Sequence, residues 1–343
     1  MSASAPIAVR ADAPAVLELP PAHLELTWRP LHAQDAAALH SLLETLESHD
    51  HLHTRHSYAE VLELLTGPGM DPEQDGLAGF DEAGQLRAYA LVEIDPSDTR
   101  VLCAVLRGGV HPGWRGRGIG RAILAWKEGR ARQRLAASGT RLPARLAVMV
   151  EEQARDHRRL YAAAGFSPIR WYSAMRRDLR APLPQQEEPD GITLTRWSEA
   201  LDEQVRLTHN EAFTEHWGCG PQSGQTWIQR PSTFAPDWSW VALDSGRPGS
   251  EVVGYLMSGR YDQDWSALGY TCGFTDAVGV RSAWRGRGVA TALLVAALTD
   301  YQDGGMEYAC LRVDTANPAG TGTLYSRLGY EVTHGYVMYS VEI

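Results

Sequence analysis

The sequence has few of the residues that mark several large classes of protein. Lys127 is the only lysine, so a Schiff-base mechanism has a single candidate residue. The cysteines have neither the paired spacing of a zinc site nor the density of a disulfide framework. They are Cys103, Cys219, Cys272 and Cys310. We therefore expect reduced cysteines, no metal cofactor and a cytoplasmic location.

Long apolar runs and an excess of positive charge are also absent. No segment approaches the length that spans a membrane, and the first residues contain no continuous apolar core of signal length. The 42 acidic residues outnumber the 32 basic ones, which gives a formal net charge of −10. Such a charge repels a phosphate backbone and favours a cationic amine as ligand. We expect no nucleic-acid or membrane partner, and a monomer or homodimer.

The chain of 343 residues suits two domains, and it contains two copies of one pattern. Arg115-Gly116-Arg117-Gly118-Ile119-Gly120 returns as Arg285-Gly286-Arg287-Gly288-Val289-Ala290. We refer to these two stretches as the Arg-Gly loops. A second pattern, which includes a Leu-Tyr pair and a Gly-aromatic pair, occupies 160–166 and returns at 324–330. The protein is therefore predicted to consist of two tandem units.

Each Arg-Gly loop lies between a strand-like segment and a helix-like segment. Glycines allow the backbone to turn sharply, and the first amides of a helix are unpaired donors at the positive end of its dipole. Such a helix start binds phosphate, and arginines add charge-assisted bonds to a pyrophosphate. The spacing is not Gly-x-Gly-x-x-Gly and no Gly-Lys-Ser/Thr follows, so neither a dinucleotide loop nor a nucleoside-triphosphate loop is indicated.

Both loops resemble the acetyl-CoA loop of the GNAT acetyltransferase superfamily, in which Arg or Gln precedes two spaced small residues. The resemblance implies acetyl-CoA as co-substrate and no metal. In the second copy it implies cofactor-binding roles for Val278, Gly279, Val280, Arg285, Gly286, Arg287, Gly288, Val289, Ala290 and Asn317. In the first copy it implies the same roles for Val110, Arg115, Gly116, Arg117, Gly118, Ile119 and Gly120. Gln153 stands in the first copy where Asn317 would align.

The order of predicted elements is the same in the two copies. Each has a strand, one or two helices, a hairpin, the strand before the Arg-Gly loop, a helix, a strand, a helix and a last strand. This predicts an α/β protein of two tandem GNAT-fold domains, each a mixed, mostly antiparallel sheet flanked by helices. We place a flexible tail at 1–21, the domains at 22–180 and 192–343, and a proline-rich linker at 181–191.

Acetyl transfer from a thioester to an amine requires a base, donors for the developing oxyanion and an acid for the leaving thiolate. Tyr325 is the candidate acid, because a phenol with a pKa near ~10 can donate to a thiolate. Its alternative role is an aromatic packed in the core. Asp276, four residues before Val280 in the second strand, is the candidate base. The corresponding strand of the first copy has no carboxylate, so only the second unit has such a candidate. A bulge or a backbone-accepting carboxylate is the alternative for Asp276.

Glu211, Glu215 and His216 are the candidate acceptor-binding residues. They lie in a segment similar to the corresponding helix of tandem GNAT proteins of the mycothiol synthase-like group. Their alternative role is that of solvated polar groups at a helix end. Four histidines between 49 and 56 form no complete set of metal ligands, so polar residues of a connection after a helix are favoured there over a metal site. The GNAT resemblance implies a further alternative, an acceptor-facing role, because in that family the loop between the first two helices walls the substrate pocket.

These observations predict an N-acetyltransferase that transfers acetyl from acetyl-CoA to a small-molecule amine by direct attack in a ternary complex. The C-terminal unit is expected to be catalytic. The first unit is either catalytic, cofactor-binding only or vestigial. The alternatives for the whole chain are a thiol- or hydroxyl-directed acyltransferase, a mycothiol synthase proper, or a non-catalytic acyl-CoA sensor.

Overall fold

The computed structural model describes the chain in two compact units. The first unit comprises 1–169 together with 337–343, and the second comprises 170–336. The described residues are 5–67, 69–95, 99–185, 188–214, 217, 220–246, 251–316 and 321–343.

The first unit alternates short helices with strands in the predicted order. Its helices are α1 (Ile7–Arg10), α2 (Ala36–His49), α3 (Tyr58–Thr66), α4 (Pro72–Asp75), α5 (Ile119–Ala137) and α6 (Arg155–Ala163). Its strands are β1 (Thr27–Pro30), β2 (Gly76–Phe80), β3 (Leu86–Ile94), β4 (Leu102–Val110) and β5 (Ala144–Glu151). Local sequence fixes some of these ends: the Ser57 hydroxyl accepts from the Glu60 amide at 3.2 Å and caps α3.

The strands β1 to β5 form a sheet in chain order. Neighbours are antiparallel except β4 and β5, which are parallel. Helices cover both faces of the sheet. Side chains of successive strand residues point to opposite sides, so two neighbouring residues of β4 show what packs on each face. A Cβ placed on Gly108 would meet Lys127 of α5, whereas one on Gly109 would meet Leu46 of α2. The sheet is therefore mixed, mostly antiparallel and flanked by helices, as predicted.

The segment before Pro21 departs from the expectation of a flexible tail at 1–21. Ile7 and Ala11 are fully buried in the core of the first unit. The Ile7 amide donates to Thr140 O at 3.1 Å, and Arg132 Nη1 donates to Ala11 O at 2.7 Å. Apolar burial and these hydrogen bonds order the segment from residue 5 onward. Residues 1–4 lie outside the described part of the chain.

The second unit repeats this architecture. Its strands are β6 (Ser167–Asp178), β7 (Ile192–Arg196), β8 (Trp240–Asp244), β9 (Val252–Gly259), β10 (Cys272–Val280), β11 (Tyr308–Asp314) and β12 (Glu331–Glu342). Its helices are α7 (Asp202–Ala212), α8 (Gly224–Ile228), α9 (Trp265–Leu268), α10 (Val289–Asp303) and α11 (Thr321–Arg327). The sheet order is β6-β11-β10-β9-β8-β7; among these pairs of described strands, β10–β11 is parallel and the others are antiparallel.

The division of the chain differs from the predicted boundaries at two places. Most of β6 belongs to the second unit, because it pairs with β11 along Tyr172–Asp178. The last residues of β12 belong to the first unit, where Val337 and Tyr339 pack in the core and the Ile343 amide donates to Ala144 O at 2.8 Å. Neither exchange has a signal in the local sequence, because both depend on which strand a segment pairs with.

The start of the predicted linker is attached to the second unit. Arg177 Nη2 donates to Pro182 O at 2.8 Å, and Leu183 packs against the core of that unit. Residues 186 and 187 of the linker lie outside the described part of the chain. Within the described ranges, no helix combines the length and apolar character that a membrane crossing requires.

Candidate functional site

The second unit has an opening in its sheet where β10 and β11 separate. These strands pair with each other over Cys272–Thr275 and Tyr308–Leu311. Beyond this, β10 continues to Val280 and β11 to Asp314, and in the described residues the two strands no longer pair with each other. On its other side, β10 remains paired with β9 as far as Val280. Backbone groups of alternate residues from Asp276 to Val280 therefore face the opening, available to a ligand. Val278, Gly279 and Val280, predicted to bind the cofactor, line this strand end.

The second Arg-Gly loop connects this strand end to the start of α10. Gly286 and Gly288 have φ values of 75° and 83°, in the left-handed region that favours glycine. The helix begins at Val289, so its unpaired first-turn amides follow directly. A Cβ on Gly286 would meet nothing within 4 Å, so the space above the loop is open. This combination fits an anionic group such as a pyrophosphate.

The two arginines of this loop have different surroundings. Arg285 donates from Nη2 to Ala212 O at 3.0 Å and from Nε to Val280 O at 3.4 Å, so it ties the loop to α7 and β10. Arg287 is exposed and lies over the Trp284 ring, 4.7 Å from its centroid. Both arginines are exposed residues, so they differ in their contacts rather than in their exposure.

Asp276 is the extra residue of a β-bulge. The β9–β10 register passes from Thr275 opposite Ser258 directly to Ala277 opposite Met257. A bulge redirects the side chain that it inserts. Asp276 is an exposed residue, and desolvation by the protein around its carboxyl raises the pKa of that group to about 7. The bulge and the catalytic role were alternatives in the sequence; the structure shows the bulge, and the catalytic role stays a prediction.

The surroundings of the Asp276 carboxylate are specific. The Tyr261 hydroxyl donates to Oδ1 at 2.8 Å, and both this bond and the positive charge of Arg312 oppose the rise in the pKa. Gly259 leaves room for this pair, because a Cβ there would lie 2.5 Å from Asp276 Oδ2 and 2.5 Å from the Tyr261 ring. A side chain at residue 259 would displace the carboxylate.

Tyr325 lies in α11 with its ring in the core of the second unit. The ring packs edge-on against Tyr330, with the centroids 5.9 Å apart, and 7% of the residue is exposed. Burial raises the pKa of the phenol to about 12. Tyr325 therefore stays protonated at neutral pH, which a proton donor requires. Core packing of the ring and donation by the hydroxyl are compatible.

Glu211 is held at the Arg-Gly loop of the second unit. Its Oε1 accepts from the Ser282 amide at 3.1 Å, and Oε2 lies 3.4 Å from Arg281 Nη1. The carboxylate thus fixes the turn before the loop, a contact that the acceptor-binding prediction did not include. It also lines a pocket of about 230 Å³. The other lining residues are Asp244, Glu251, Arg281, Ala283 and Trp284.

Three predicted site residues lie outside the described residues. They are Glu215 and His216 of the predicted acceptor site and Asn317 of the predicted cofactor site. Their roles stay predictions.

The first unit has the same opening and loop conformation. β4 and β5 pair over Leu102–Val105 and Ala144–Ala147, and then separate as β10 and β11 do. Gly116 and Gly118 have φ values of 80° and 94°, and α5 begins at Ile119. Val110, Ile119 and Gly120 accordingly occupy the same positions as Val280, Val289 and Ala290 of the second unit.

The first Arg-Gly loop differs in how its arginines are engaged. Arg115 forms a bidentate ion pair with Asp50, with distances of 2.6 and 2.7 Å. Arg117 Nη1 lies 3.1 Å from Glu25 Oε2. Both predicted pyrophosphate ligands therefore have a carboxylate partner that a phosphate would have to replace.

The strand before the first loop also lacks the features found around Asp276. The β3–β4 register is continuous from Ala88↔Val110 to Ile94↔Ala104, without a bulge. Leu106 occupies the position of Asp276 and is buried. The two copies thus share a cofactor-type loop but differ in the group that could act as base.

Two tyrosines near Asp276 were not predicted from the sequence. Tyr261 binds the carboxylate, and the Tyr301 hydroxyl donates to Phe274 O at 3.1 Å and lies 2.7 Å from Ser258 Oγ. Tyr301 thereby fixes β10 just before the bulge. The signal available in the sequence was weak: Tyr301 is an aromatic residue within the polar last turn of α10.

The histidines after α2 pair with buried carboxylates. His53 Nδ1 lies 2.9 Å from Glu151 Oε2, and His56 Nδ1 lies 2.6 Å from Glu47 Oε1. These pairs fasten the connection after α2 to the end of β5 and to α2 itself. In the part of the chain that the structure describes, no group of three or more His, Cys, Asp or Glu side chains is arranged to hold a metal ion.

Comparison with known proteins places the strand, loop and helix of the second unit in one family. Residues 236–332 match the model described as "Acetyltransferase (GNAT) domain". The matched range includes Asp276, the Arg-Gly loop and Tyr325.

Whole-chain comparisons extend the similarity to both units. The chain is 33% identical over 274 residues to the mycothiol acetyltransferase of Thermobispora bispora. The aligned region covers 77% of this chain and 80% of that protein. Its structure is similar to that of a GCN5-related N-acetyltransferase from Sphaerobacter thermophilus, with 26% identity, a TM-score of 0.70, and coverage of 95% and 97%. A tandem GNAT protein from the clavulanic acid biosynthesis pathway has a similar fold, with 18% identity, a TM-score of 0.67, and coverage of 93% and 98%.

Proposed function

This chain belongs to the tandem GNAT N-acetyltransferases, in the group that includes proteins named mycothiol acetyltransferase, and from this premise we propose that its second unit transfers acetyl from acetyl-CoA to a small-molecule amine. The observation that carries the assignment to the second unit is Asp276, a solvent-reachable carboxyl at the opening of β10 with a pKa of about 7. A general base is most effective when its pKa lies near the working pH.

The proposed cofactor site uses the strand end and the Arg-Gly loop. Amides of β10 between Val278 and Val280 hold the pantetheine arm and meet the thioester carbonyl oxygen. The amides that follow Gly288 at the start of α10 bind the pyrophosphate, and Arg287 adds charge. The open space above Gly286 and the unpaired edge of β10 support this assignment. Acetyl-CoA supplies the activated acetyl group.

The proposed catalytic roles follow from the positions of three side chains. Asp276 accepts the proton of the acceptor amine, directly or through one water, so that a neutral nitrogen attacks. Tyr261 is a positioning residue, since its hydroxyl orients the Asp276 carboxylate. Tyr325 donates its proton to the departing sulfur, and its raised pKa keeps that proton in place until the thiolate forms. Amides of β10 stabilise the charge that develops on the carbonyl oxygen.

The acceptor that we favour is the amine of a cysteinyl pseudodisaccharide, the substrate of mycothiol synthases. The name of the relative that is 33% identical over most of its length supports this choice. The pocket beside Glu211 gives only partial support to a cationic amine acceptor: Asp244 and Glu251 also line it, but Arg281 lines it too and pairs with Glu211 and Glu251. Other small amines are the second candidate class. A cytoplasmic location and a monomeric or homodimeric state stay predictions.

We propose that the first unit binds acetyl-CoA but transfers no acetyl group to the external acceptor. Its loop has the same backbone conformation as the second loop, which supports binding. Leu106 stands in place of the base, and the ion pairs of Arg115 and Arg117 must open for a pyrophosphate to bind. Its affinity for acetyl-CoA is therefore expected to be the lower of the two.

Release of free CoA tests the proposed activity. With acetyl-CoA and the cysteinyl pseudodisaccharide, we expect steady formation of one free thiol and one acetylated amine per cycle. The N-acetylated pseudodisaccharide is the matched control, since it lacks only the nucleophile. Turnover with simple amines but not with the pseudodisaccharide would reject the favoured acceptor. Tight acetyl-CoA binding without turnover across primary amines would instead indicate an acyl-CoA sensor.

The pH dependence of kcat/KM is expected to report the ionisation of Asp276. Because burial raises its pKa to about 7, the carboxyl is protonated and inactive below that pH and ionised above it. The rate should therefore rise about tenfold per pH unit below pH 7 and level off above it, apart from the separate ionisation of the acceptor amine. Steady-state kinetics from acid to alkaline pH measure this limb.

Two variants separate Asp276 from other ionising groups. Asp276→Asn should remove the limb and lower the rate by about 10²- to 10⁴-fold, since the amide cannot accept the proton. Tyr261→Phe removes a hydrogen bond that lowers the Asp276 pKa, so the limb should move to higher pH while the plateau is largely kept. An unchanged limb in Asp276→Asn would place the base elsewhere.

A further inference from the structure

The only lysine of the chain is buried inside the first unit. Lys127 lies in the middle of α5, and 2% of the residue is exposed. A lysine amine is hydrated in water and loses that hydration when buried, so such a position is costly without a compensating partner. In the described residues no hydrogen bond or ion pair engages its Nζ, and this atom is not among the fully buried unpartnered ones, so it keeps some contact with solvent.

The Lys127 amine reaches the strand end that carries the cofactor-type opening. A Cβ on Gly108 of β4 would lie 2.9 Å from Nζ and 3.4 Å from Cε. Gly108 comes after Val105, the last residue of β4 that pairs with β5. The absence of a side chain at this residue is therefore what admits the amine to β4 beside the opening.

The second unit shows that the fold does not require this lysine. Ala297 of α10 occupies the equivalent position and is buried in an apolar core, and Val278 stands where the first unit has Gly108. The two positions thus differ together between the copies. The second unit has the apolar residues Ala297 and Val278, whereas the first unit has Lys127 and a glycine, Gly108, that leaves room for the amine. Structural need does not account for the change, because Ala297 and Val278 pack there without a polar atom.

The electrostatic surroundings keep a substantial part of the amine neutral near pH 8. Burial lowers the pKa of Lys127 to about 8, opposed by the negative charge of Glu128. His157 lies within electrostatic range of Lys127, and burial holds the pKa of its imidazole below the usual value, with Asp50 acting in the opposite direction. Burial thus favours the uncharged form of both the amine and the imidazole.

We propose that Lys127 is an acyl acceptor, and that acetyl-CoA bound at the first unit acetylates its ε-amine. This inference rests on the proposed binding of acetyl-CoA by the first unit. It gives that unit a reaction that needs no Asp276 equivalent, because a lysine with a pKa lowered to about 8 is partly neutral at that pH and the leaving CoA takes its proton.

The proposed step is balanced in atoms and charge. The Lys127 nitrogen forms a bond to the acetyl carbon, the carbon–sulfur bond breaks, and CoA leaves as its thiol after taking the proton that the nitrogen loses. The product is a neutral amide, and it removes the cost of a buried amine because an amide carries no charge to desolvate. Burial also shields Lys127 from acetyl-CoA in free solution, so that modification requires a bound thioester.

Mass spectrometry of the intact chain after incubation with acetyl-CoA tests the proposal. We expect the addition of one acetyl group per chain, mapped by peptide analysis to Lys127. Lys127→Ala copies the residue of the second unit and should take up no acetyl group there. Gly118→Val should prevent the modification by closing the first Arg-Gly loop, and Gly288→Val should leave it intact. Circular dichroism establishes that each variant is folded.

Acetyl-CoA binding and CoA release from an external amine, measured on the same samples, separate the possible failures. An unmodified Lys127 in a Gly288→Val variant that binds acetyl-CoA by calorimetry would overturn the inference and leave the proposed function in place. An unmodified Lys127 in a Gly288→Val variant that binds no acetyl-CoA would overturn both the inference and the proposed role of the first unit. Equal modification of Lys127 in the Gly118→Val variant would also overturn it, since the reaction would then be independent of the loop.

Discussion

Gly288→Val is expected to lower kcat/KM for acetyl transfer to the external acceptor by about 100-fold or more. Gly288 has a φ of 83° and stands directly before the first residue of α10. A β-branched residue is strongly disfavoured at positive φ, so valine must move the loop and the first amides of the helix. Loss of two hydrogen bonds to a charged pyrophosphate costs about 3 kcal/mol, which corresponds to about 100-fold or more in kcat/KM.

Gly118→Val is the matched control for this variant. Gly118 has a φ of 94° and the same place before α5, so the same substitution imposes the same backbone strain in the first unit. If the second unit carries the chemistry, Gly118→Val should keep a substantial part of the turnover. Calorimetry should find one acetyl-CoA site fewer in each variant than in the parent chain, and circular dichroism should show that both are folded.

The pair of variants decides which unit is catalytic. Loss of turnover in Gly118→Val together with an active Gly288→Val would place catalysis in the first unit. Equal partial losses would indicate two working sites, and the first unit would then need a base other than the buried Leu106. Either result contradicts the role that we propose for Asp276.

The conformation of the Arg-Gly loops was predictable from the sequence because its cause is local. Gly118 and Gly288 are glycines at the residue where the chain turns from a strand into a helix, and this turn requires positive φ. The repeated pattern then fixes the same geometry in both units. The order of strands and helices followed from periodicity for the same reason.

The groups that modify the loops and the base were not predictable, because they come from distant parts of the chain. Asp50 and Glu25 reach Arg115 and Arg117 only after the sheet has formed. Composition gives the total charge but not which carboxylate meets which guanidinium.

The pKa of Asp276 has the same kind of origin. The sequence identifies a carboxylate in a strand, whereas its ionisation depends on the surrounding protein, on the bulge and on the hydroxyl of Tyr261. The packing of Ile7 likewise depends on a tertiary contact, which the Ala- and Pro-rich composition of its segment does not predict.

Tyr325→Phe is expected to lower the maximal rate by about 10²- to 10⁴-fold while acetyl-CoA affinity changes little. Phenylalanine keeps the ring that packs against Tyr330 and removes only the hydroxyl. The raised pKa of about 12 keeps the phenol protonated across the working range, so its loss removes a donor at every pH. Single-turnover kinetics with calorimetric measurement of acetyl-CoA binding test the expectation.

The first unit offers a matched substitution for this residue. Tyr161 has the same place in the repeated pattern, is buried beside Phe166, and has a pKa that burial also raises to about 12. Tyr161→Phe should therefore have a similar effect on packing without the loss of rate at the second unit. An unchanged rate in Tyr325→Phe would assign Tyr325 to the core only. Equal losses in both variants would mean that the rate reports packing rather than proton donation, because Tyr161 belongs to the unit without the base.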